Sequence, residues 1–591
     1  MNTKIKLLSL LLAFVMLLAS CGTVTELPTE ANTEITTEVN EITTEKQTET
    51  PAEELSEETT EKVPEETLEP VPEDDQIEYS RAKNARQKSE LIAMFTLTEE
   101  DYENAIALLN AFLDAGLNSP DYEEVDAIYY EFEDAFYHIQ TQNSIASIIY
   151  YCNMTDETAQ AHDSFATEKL LALRDEYVAA CKELYLNSPH KDELFADWSE
   201  KDIQDMLGYD PETSRLMERN EEIKKEAANL SDAEWYDKIP ELYIEFVQNN
   251  NKIAQLAGYD NYYDYATIEV YDRDYTREDL EIFKTNFLEY VYPNENTIYL
   301  NYKDKVNTLN QSQIDAINAF LSGAFDTLGK GKNYVMKYVN SVPGNHGESM
   351  RHMFENRNFI IATNPNAHHS AFQTYLPEFE SPFCLFGASN DSMTVVHEMG
   401  HYYAALTNHD LTSLDLMETH SQANEYLFLN LIVEKEMDPT LFDVFMGFNM
   451  YVNYANFITC LIVDEFEYRI YTMDSLEGFT SADFDAIIAE ICEMYGGYPR
   501  VSGSYVDVKE YWRQIVLEAP VYYISYAVSL TEALNIYALA DESIIEAHRV
   551  YSYIVEEAIP EDKFIITLQK AGLTSPFDEE TMIKIAEVMI K

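Results

Sequence analysis

The chain has 591 residues, of which 46% are hydrophobic and 13% aromatic, and its formal net charge is −68 at pH 7. One hydrophobic core seldom suffices at this length, so we expect a folded protein of two or more lobes. The negative charge argues against nucleic acid or an anionic lipid surface as a partner, because both would repel the chain.

The N-terminal segment is typical of a bacterial lipoprotein signal peptide. Residues 1–21 contain two lysines, an apolar run and the ending Leu18-Ala19-Ser20-Cys21. The charge, the length and the small-residue ending are those of a signal peptide, and the last four residues resemble a lipobox, whose cysteine carries the lipid. An uncleaved membrane anchor is the weaker alternative, because the apolar run is short for a bilayer span. We therefore expect Cys21 to anchor the chain to the outer face of the cytoplasmic membrane.

Residues 22–80 are of a different composition, rich in threonine, glutamate and proline. In this segment 19 Asp and Glu residues stand against Lys46 and Lys62. Such a segment buries too little apolar surface to offset its chain entropy, and its like charges keep it extended. It is predicted to be a disordered tether between the membrane and the folded part.

The apolar residues recur with helical spacing from about residue 82 onward. The stretches EEDYENAIALLNAFLDAGL (99–117) and ATEKLLALRDEYVAACKELYL (166–186) have them at i, i+3, i+4 and i+7. These patterns predict a mainly α protein. Besides Cys21 there are five cysteines, widely spaced and without a C-x-x-C pair. We expect them to be buried free thiols, because neither a disulfide framework nor a cysteine zinc site fits that spacing.

One region departs from the helical pattern. It contains two short apolar or aromatic runs, 371–376 and 382–387. The first run ends just before Pro377, and the second begins at Pro382. They predict two strands of a small sheet. An exposed edge of this sheet could pair with an extended peptide, or the strands could only cover the core, and the sequence leaves both open.

The next stretch, DSMTVVHEMGHYYAAL (391–406), predicts a helix that carries His397, Glu398 and His401. Residues at i and i+4 project from one helix face, so both imidazoles can reach a single metal ion. Glu398, one step round the helix, can then contact a water molecule instead of the metal. Chance polar residues on a helix remain an alternative, so a third ligand must decide between them.

A second helical pattern beginning near Ser413 offers candidates for that ligand. Its early acids are Asp415, Glu418 and Glu425. Two histidines and a glutamate form a known catalytic zinc set, and Glu418 follows His397 at a distance that allows a turn and a return along an adjacent helix. Glu425 lies on the same face two turns later, which suits a hydrogen bond to a ligand imidazole. Each acid on its own is more often a solvated surface charge.

Four ordered segments together resemble one family of peptidases. They are VQNNNKIAQLAGYDNYYDYA (247–266), SPFCLFGASNDSMTVVHEMGHYY (381–403), METHSQANE (417–425) and LQKAGLTSPFDEETMIKIAEVM (568–589). These segments are similar to the zinc oligopeptidases related to thimet oligopeptidase and, more closely, to oligoendopeptidase F.

The resemblance implies a fold, a cofactor and a substrate class. The fold would be mainly α, with two helical lobes around a deep channel and a small β-sheet beside the motif helix. Residues 81–235 would form the N-terminal helical region and residues 236–591 the catalytic domain. One Zn²⁺ per chain would be held by His397, His401 and Glu418, with Glu425 behind a ligand imidazole and Glu398 as the general base. The substrates would be short, unstructured oligopeptides.

The resemblance fails at one position near the C-terminus. In EYWRQIVLEAPVYYISYAVSLTEAL (510–534), Tyr522 and Tyr526 match tyrosines that contact the substrate carbonyl, and Tyr523 is a further candidate if the register slips by one residue. A phenol can donate a hydrogen bond to a developing oxyanion. Val516 stands where the family has a histidine and offers no donor. A lipid-anchored peptide- or zinc-binding protein without turnover is therefore the rival interpretation, and the oligomeric state does not follow from the sequence.

Overall fold

The computed structural model describes residues 67–591 except positions 79, 82–83, 197, 199, 209–210, 229, 322–330, 369–370, 388–390, 409–412, 497–499, 502–503, 506–516 and 518. The predicted signal peptide and residues 22–66 of the predicted tether lie outside the described residues, as does Val516. The last part of the predicted tether is described and packs onto the folded part, because Ile77 is buried and its N–H and carbonyl groups both bond to the Asn340 side chain at 2.9 Å. The chain limits predicted at residues 80 and 235 stay predictions.

Most of the described residues lie in α-helices. The helices before the sheet are α1 (Lys88–Met94), α2 (Glu99–Asn118), α3 (Tyr122–Tyr151), α4 (Glu157–Asn187), α5 (Lys191–Leu194), α6 (Glu200–Leu207), α7 (Pro211–Ala228), α8 (Asp232–Leu256), α9 (Tyr262–Tyr265), α10 (Arg277–Asn286), α11 (Glu295–Val306), α12 (Gln311–Leu321), α13 (Gly331–Ser341) and α14 (Gly344–Glu355). Short π-helical segments follow α9 at Ala266–Val270 and α10 at Phe287–Val291.

Three strands and the remaining helices complete the chain. The strands are β1 (Phe359–Ile361), β2 (Phe372–Leu376) and β3 (Ser381–Phe386). The helices are α15 (Ser392–Thr407), α16 (Leu414–Phe428), α17 (Glu434–Glu436), α18 (Pro439–Thr472), α19 (Ser481–Met494), α20 (Ile524–Glu542), α21 (Ile544–Glu556), α22 (Lys563–Ala571) and α23 (Glu579–Ile590). A two-stranded ribbon of β4 (Arg500–Val501) and β5 (Ser504–Tyr505) lies between α19 and α20.

The N-terminal helices α2 to α4 enclose a core of their own. The side chains of Leu109, Phe132, Phe136, Leu173 and Tyr177 are buried in it. At the start of α2 the hydroxyl of Thr98 accepts from the Asp101 N–H, and the Asp101 carboxylate accepts from the Thr98 N–H. This reciprocal pair satisfies two backbone donors that the first turn would otherwise leave open. The apolar spacing read from the sequence is therefore the inner face of this lobe.

A larger core joins α7 and α8 to the helices that follow the sheet. It includes Ile223 from α7, Tyr243 from α8 and the aromatic face of the 34-residue helix α18. At 1.5 Å per residue, α18 is about 50 Å long. Helices α15, α16, α20 and α21 pack within this same core. The second lobe is therefore built around long central helices.

Helix α3 connects the N-terminal core to a smaller apolar cluster on one face of the sheet. Its first half contributes Phe132 to the N-terminal core, and its second half packs Ile145 and Ile149 against the apolar face of the sheet. His138 Nδ1 lies 3.1 Å from Glu378 Oε2. The opposite face of the central strand contributes Cys384 and Phe386 to the larger core, so the sheet lies between this 30-residue helix and the larger core.

The sheet has the order β1-β3-β2, with β1 parallel and β2 antiparallel to the central strand. All six residues of β3 are buried, since helices and strands cover it on every side. The two predicted strands are confirmed as β2 and β3. Strand β1 was not predicted, because its three residues are too few to show a period.

The five cysteines of the described chain are free and buried. Burial raises the pKa of the Cys152 thiol to about 11 and those of Cys181 and Cys460 to about 12. No helix in the described part of the chain has both the length and the apolarity that crossing a membrane requires.

Candidate metal centre

The predicted motif helix begins where the sequence placed it. Asp391 caps α15, since its Oδ1 accepts from the N–H groups of Met393 and Thr394 at 2.8 and 3.0 Å. Val396, Met399 and other apolar residues of α15 are buried in the larger core. That packing fixes the rotation of the helix, so His397 and His401 face away from the core centre on one side.

Gly400 allows α15 to touch the next helix backbone to backbone. A Cβ added at Gly400 would lie 2.5 Å from the carbonyl oxygen of His420 and 2.8 Å from the Cα of Ser421. Any side chain would therefore separate α15 from α16. The glycine inside the motif sets how near the third candidate ligand comes to the two histidines.

The structure brings His397, His401 and Glu418 together. One candidate ligand atom from each residue lies within 4.8 Å of the others, and His397 Nε2 is 3.9 Å from Glu418 Oε2. The imidazole rings of His397 and His401 are nearly perpendicular, with centroids 4.9 Å apart. Two histidine nitrogens and one carboxylate oxygen are a donor set that Zn²⁺ binds in catalytic sites.

Two consecutive residues of α16 hold two consecutive residues of α15. Glu425 Oε1 accepts from His397 Nδ1 at 2.7 Å, and Asn424 Nδ2 donates to the Val396 carbonyl at 2.7 Å. The bond to Glu425 keeps the proton of His397 on Nδ1. Nε2 is then unprotonated and is the nitrogen that can bind a metal on the side facing Glu418. The predicted partner of a ligand imidazole thus lies at hydrogen-bond distance from one.

Buried polar groups behind α16 support Asn424. Its Oδ1 accepts from the Tyr338 hydroxyl at 2.7 Å and lies 2.9 Å from His346 Nε2. Both His346 and Asn424 are fully buried. No local pattern in the sequence points to Asn424, because an asparagine inside a helix carries no signal for such a role.

The electrostatics of the site fit a bound cation. Burial raises the pKa of Glu418 to about 7 and also raises that of Glu425. Burial, together with the neighbouring His397, holds the pKa of His401 well below its usual value. Among the described residues, the ion pairs of Glu418 and Glu425 are with His397 and not with a lysine or arginine. A divalent cation would supply the missing positive charge, so the residues fit Zn²⁺.

Glu398 follows His397 on the same helix and is fully buried. In the described part of the chain, the candidate metal ligands that lie close together are those of His397, His401 and Glu418, and Glu398 is not among them. The Cys384 thiol of β3 lies 3.9 Å from the Glu398 carbonyl oxygen, so the central strand packs directly beneath this turn. Glu398 therefore has the rigid surroundings that a proton-transferring carboxylate needs.

The tyrosines Tyr522 and Tyr526 lie at the start of α20, with their hydroxyls 3.0 Å apart. Helix α20 runs parallel to α16, because the contacts of Ser529 with Gln422 and of Asp541 with Asn430 follow the same order along both. This packing places the pair level with the first turns of α16, which carry Glu418. The ring of Tyr523 contacts both tyrosines.

Three other histidines lie away from the three candidate ligands. Helix α14 contains His346 and His352. The ring of His346 stacks on Tyr403 with a centroid distance of 4.9 Å, and His352 Nδ1 lies 2.8 Å from the Tyr402 hydroxyl. The ring of His368 contacts that of Tyr151 at the end of α3, with centroids 5.0 Å apart and ring planes tilted by 53°. Position 369 lies outside the described residues. The catalytic and ligand roles of the site residues stay predictions.

The comparisons with known proteins agree with the resemblance read from the motifs. Residues 93–206 match the model of the peptidase M3 N-terminal domain. No curated protein matches the sequence.

Three solved structures share the fold. Pz peptidase A with an inhibitor is 16% identical, with a TM-score of 0.60 over 85% of this chain and 98% of that chain. A protein assigned as an oligoendopeptidase F gives the same values. Another from Bacillus anthracis is 15% identical, with a TM-score of 0.58 over 82% and 94% of the chains. The predicted resemblance and the mainly α fold with its small sheet are therefore confirmed.

Proposed function

We propose that this protein is a zinc-dependent endopeptidase that cleaves short, unstructured peptides at the bacterial cell surface. The observation that carries the proposal is the convergence of His397, His401 and Glu418, whose candidate ligand atoms lie within 4.8 Å of one another. Glu398 follows His397 on the same helix. The match to the peptidase M3 N-terminal domain supports a peptidase, and the oligopeptide substrate class follows from the motif resemblance.

Each residue of the site has a task in this reaction. His397, His401 and Glu418 would hold one Zn²⁺, which supplies Lewis acidity to the peptide carbonyl and to a water molecule. The Glu398 carboxylate takes a proton from the attacking water and passes it to the nitrogen of the leaving amine. Glu425 keeps the proton of His397 on Nδ1, so that Nε2 stays free of a proton.

Tyr522 and Tyr526 would stabilise the charge that develops on the carbonyl oxygen. A phenol hydroxyl donates a hydrogen bond without gaining or losing a proton at neutral pH. One such donor contributes about 10²–10³ to turnover in other acyl-transfer enzymes. Because the two hydroxyls already touch each other, one can orient the other toward the substrate.

The sequence supports the proposed location. The signal peptide with its lipobox-like ending would attach Cys21 to lipid, and the acidic segment 22–80 would hold the catalytic lobes away from the membrane. The net charge of −68 disfavours nucleic acid as a ligand. Peptides and the membrane anchor are thus the proposed partners.

Metal analysis and peptide hydrolysis test the proposal together. The purified protein should contain close to one zinc per chain and should cleave internal bonds of a mixed peptide library. Glu398→Gln should lower hydrolysis by about 10²–10⁴ while zinc remains bound. The matched control is Glu532→Gln, because Glu532 is an equally buried glutamate in α20 that the reaction does not use. Unchanged hydrolysis in Glu398→Gln would contradict the proposed base.

A binding protein without turnover is the second candidate, and Val516 is the observation that favours it. If the wild type binds peptides and zinc but hydrolyses nothing, the endopeptidase proposal is wrong. Val516→His restores the donor that the family carries, and it should raise turnover by about ten- to a thousandfold if its geometry is suitable. Hydrolysis that occurs in Val516→His and not in the wild type would establish that the wild type is a binding protein without turnover. We expect slow hydrolysis by the wild type.

A further inference from the structure

The turn that precedes α20 contains a strained backbone. Val521 has a φ of +65°, in the left-handed region. A β-branched residue is disfavoured there because its Cβ crowds the following carbonyl group. Such a conformation persists only where the surroundings enforce it, and it is found most often at functional sites. Val521 immediately precedes Tyr522, so the cause of this strain concerns the tyrosine pair.

Three side chains from distant parts of the chain hold the turn. Glu467 Oε1 of α18 accepts from the Val521 N–H at 2.8 Å, and the Tyr271 hydroxyl donates to the Pro520 carbonyl at 2.8 Å. Arg273 Nη2 donates to the Tyr522 carbonyl at 3.3 Å and to the Ser525 hydroxyl at 2.9 Å. Three successive residues of the turn are therefore each bound by a buried side chain.

Glu467 is the least expected of the three. It is only 1% exposed, and no step of the proposed reaction uses it. Burial raises its pKa to about 8, although the hydrogen bond from Val521 acts in the opposite direction. At neutral pH it is therefore mainly a neutral carboxylic acid, whose carbonyl oxygen still accepts a hydrogen bond. Desolvating an ionisable group is unfavourable, and an apolar side chain would fill this place more favourably if packing were its only role.

We propose that Glu467 is a positioning residue, which holds Val521 in its left-handed conformation and thereby directs Tyr522 and Tyr526 toward the substrate carbonyl. The inference rests on the proposed function, because it concerns the same reaction. The turn sets where α20 begins and how its first turn is rotated. Since Tyr522 lies next to Val521 and Tyr526 lies one turn later, a relaxed turn would move both hydroxyls together.

Two substitutions at Glu467 separate positioning from packing. Glu467→Leu keeps the volume but removes the acceptor, so kcat should fall about 10- to 100-fold, within the range for lost oxyanion donors. KM should change by less than about threefold and zinc content should not change, because neither depends on the tyrosines. Glu467→Gln retains a carbonyl oxygen as acceptor, and it should keep kcat within about threefold of the wild type. Amide hydrogen exchange at residues 519–526 should rise in Glu467→Leu alone.

Val521→Gly provides an independent test, because glycine adopts a positive φ without steric cost. Alone, it should leave kcat within about threefold of the wild type. Added to Glu467→Leu, it should restore a substantial part of the lost kcat, since the turn no longer has to be forced. A double variant as slow as Glu467→Leu would overturn the inference.

The remaining outcomes are also decisive. If Glu467→Leu lowers thermal stability but leaves kcat unchanged in the folded protein, Glu467 is a structural residue and the inference is wrong. If Glu467→Gln is as slow as Glu467→Leu, the hydrogen bond to Val521 is not the cause. A zinc-loaded wild type that hydrolyses no peptide overturns the proposed function and this inference with it, whereas the preceding results overturn the inference alone.

Discussion

Replacing Gly400 by alanine would test how the metal centre is assembled. The added Cβ would lie 2.5 Å from the His420 carbonyl oxygen, whereas a close carbon–oxygen contact is about 3.3–3.6 Å. Helices α15 and α16 must therefore separate by roughly 1 Å at this point. Overpacking of this kind destabilises a protein by about 1–3 kcal/mol, and the better helix propensity of alanine offsets about 0.5–1 kcal/mol.

The same separation should weaken zinc binding. A metal site requires its ligands within about 0.2 Å of their preferred distances, and α16 carries Glu418 while α15 carries both histidines. We expect Gly400→Ala to bind zinc at least tenfold more weakly, which corresponds to about 1.4 kcal/mol. Competition with a chelator measures the affinity, and urea unfolding of the metal-free protein measures the stability.

Gly447→Ala is the matched control. Gly447 also lies inside a long helix, but its added Cβ would come no nearer than 3.3 Å to Tyr302. Small shifts accommodate such a contact, so zinc affinity should equal that of the wild type. If Gly400→Ala binds zinc as tightly as Gly447→Ala, the backbone contact does not set the ligand geometry and our reasoning is refuted.

Three further predictions concern the same site and its attachment. Asn424→Leu removes the donor to the Val396 carbonyl and should lower zinc affinity about 10- to 100-fold in chelator competition; an unchanged affinity would contradict the role given to Asn424. Zinc affinity should rise by about tenfold per pH unit up to pH 7 and then level off, because burial raises the pKa of Glu418 to about 7 and zinc must displace that proton. The raised pKa of Glu418 should also make the metal-free protein less stable as the pH rises from about 4.5 to 7. In this pH range Glu418 of the unfolded chain releases its proton, whereas Glu418 of the folded protein keeps it. Glu418→Gln should abolish the pH dependence of the zinc affinity and of the stability. Deleting residues 22–66 should leave the melting temperature and peptide hydrolysis unchanged, and a large fall in either would contradict the role of a tether. Extending the deletion to residue 80 should lower the melting temperature, because it removes the buried Ile77 and its hydrogen bonds with Asn340.

The sequence predicted those parts of the structure that local patterns encode. The helical periods, the helix over residues 391–406 and the two strands around Pro377 depend on neighbouring residues, and each is found where it was expected. The group of two histidines and Glu418 was also anticipated, because the i, i+4 spacing and a second helix limit the geometry.

Other features depend on contacts between distant segments and leave no local pattern. Glu467 and Val521 are 54 residues apart, and Asn424 binds His346 across 78 residues. Strand β1 is recognisable only through its pairing with β3. Periodicity also gave no reason for Gly400 inside the motif, because the need for a glycine arises from the neighbouring helix.

If the protein works outside the cytoplasm, as proposed, its five buried thiols have a consequence for how it unfolds. A thiol reacts with oxidants mainly as a thiolate, and burial keeps Cys152, Cys181 and Cys460 protonated and inaccessible in the native chain. Unfolding would expose all five at once, and the proposed compartment promotes disulfide formation. We expect wrong disulfides to trap the unfolded chain, so that heat inactivation in air is irreversible, whereas the folded protein should resist oxidants. A reductant added before heating, and not after it, would preserve the recovery of activity.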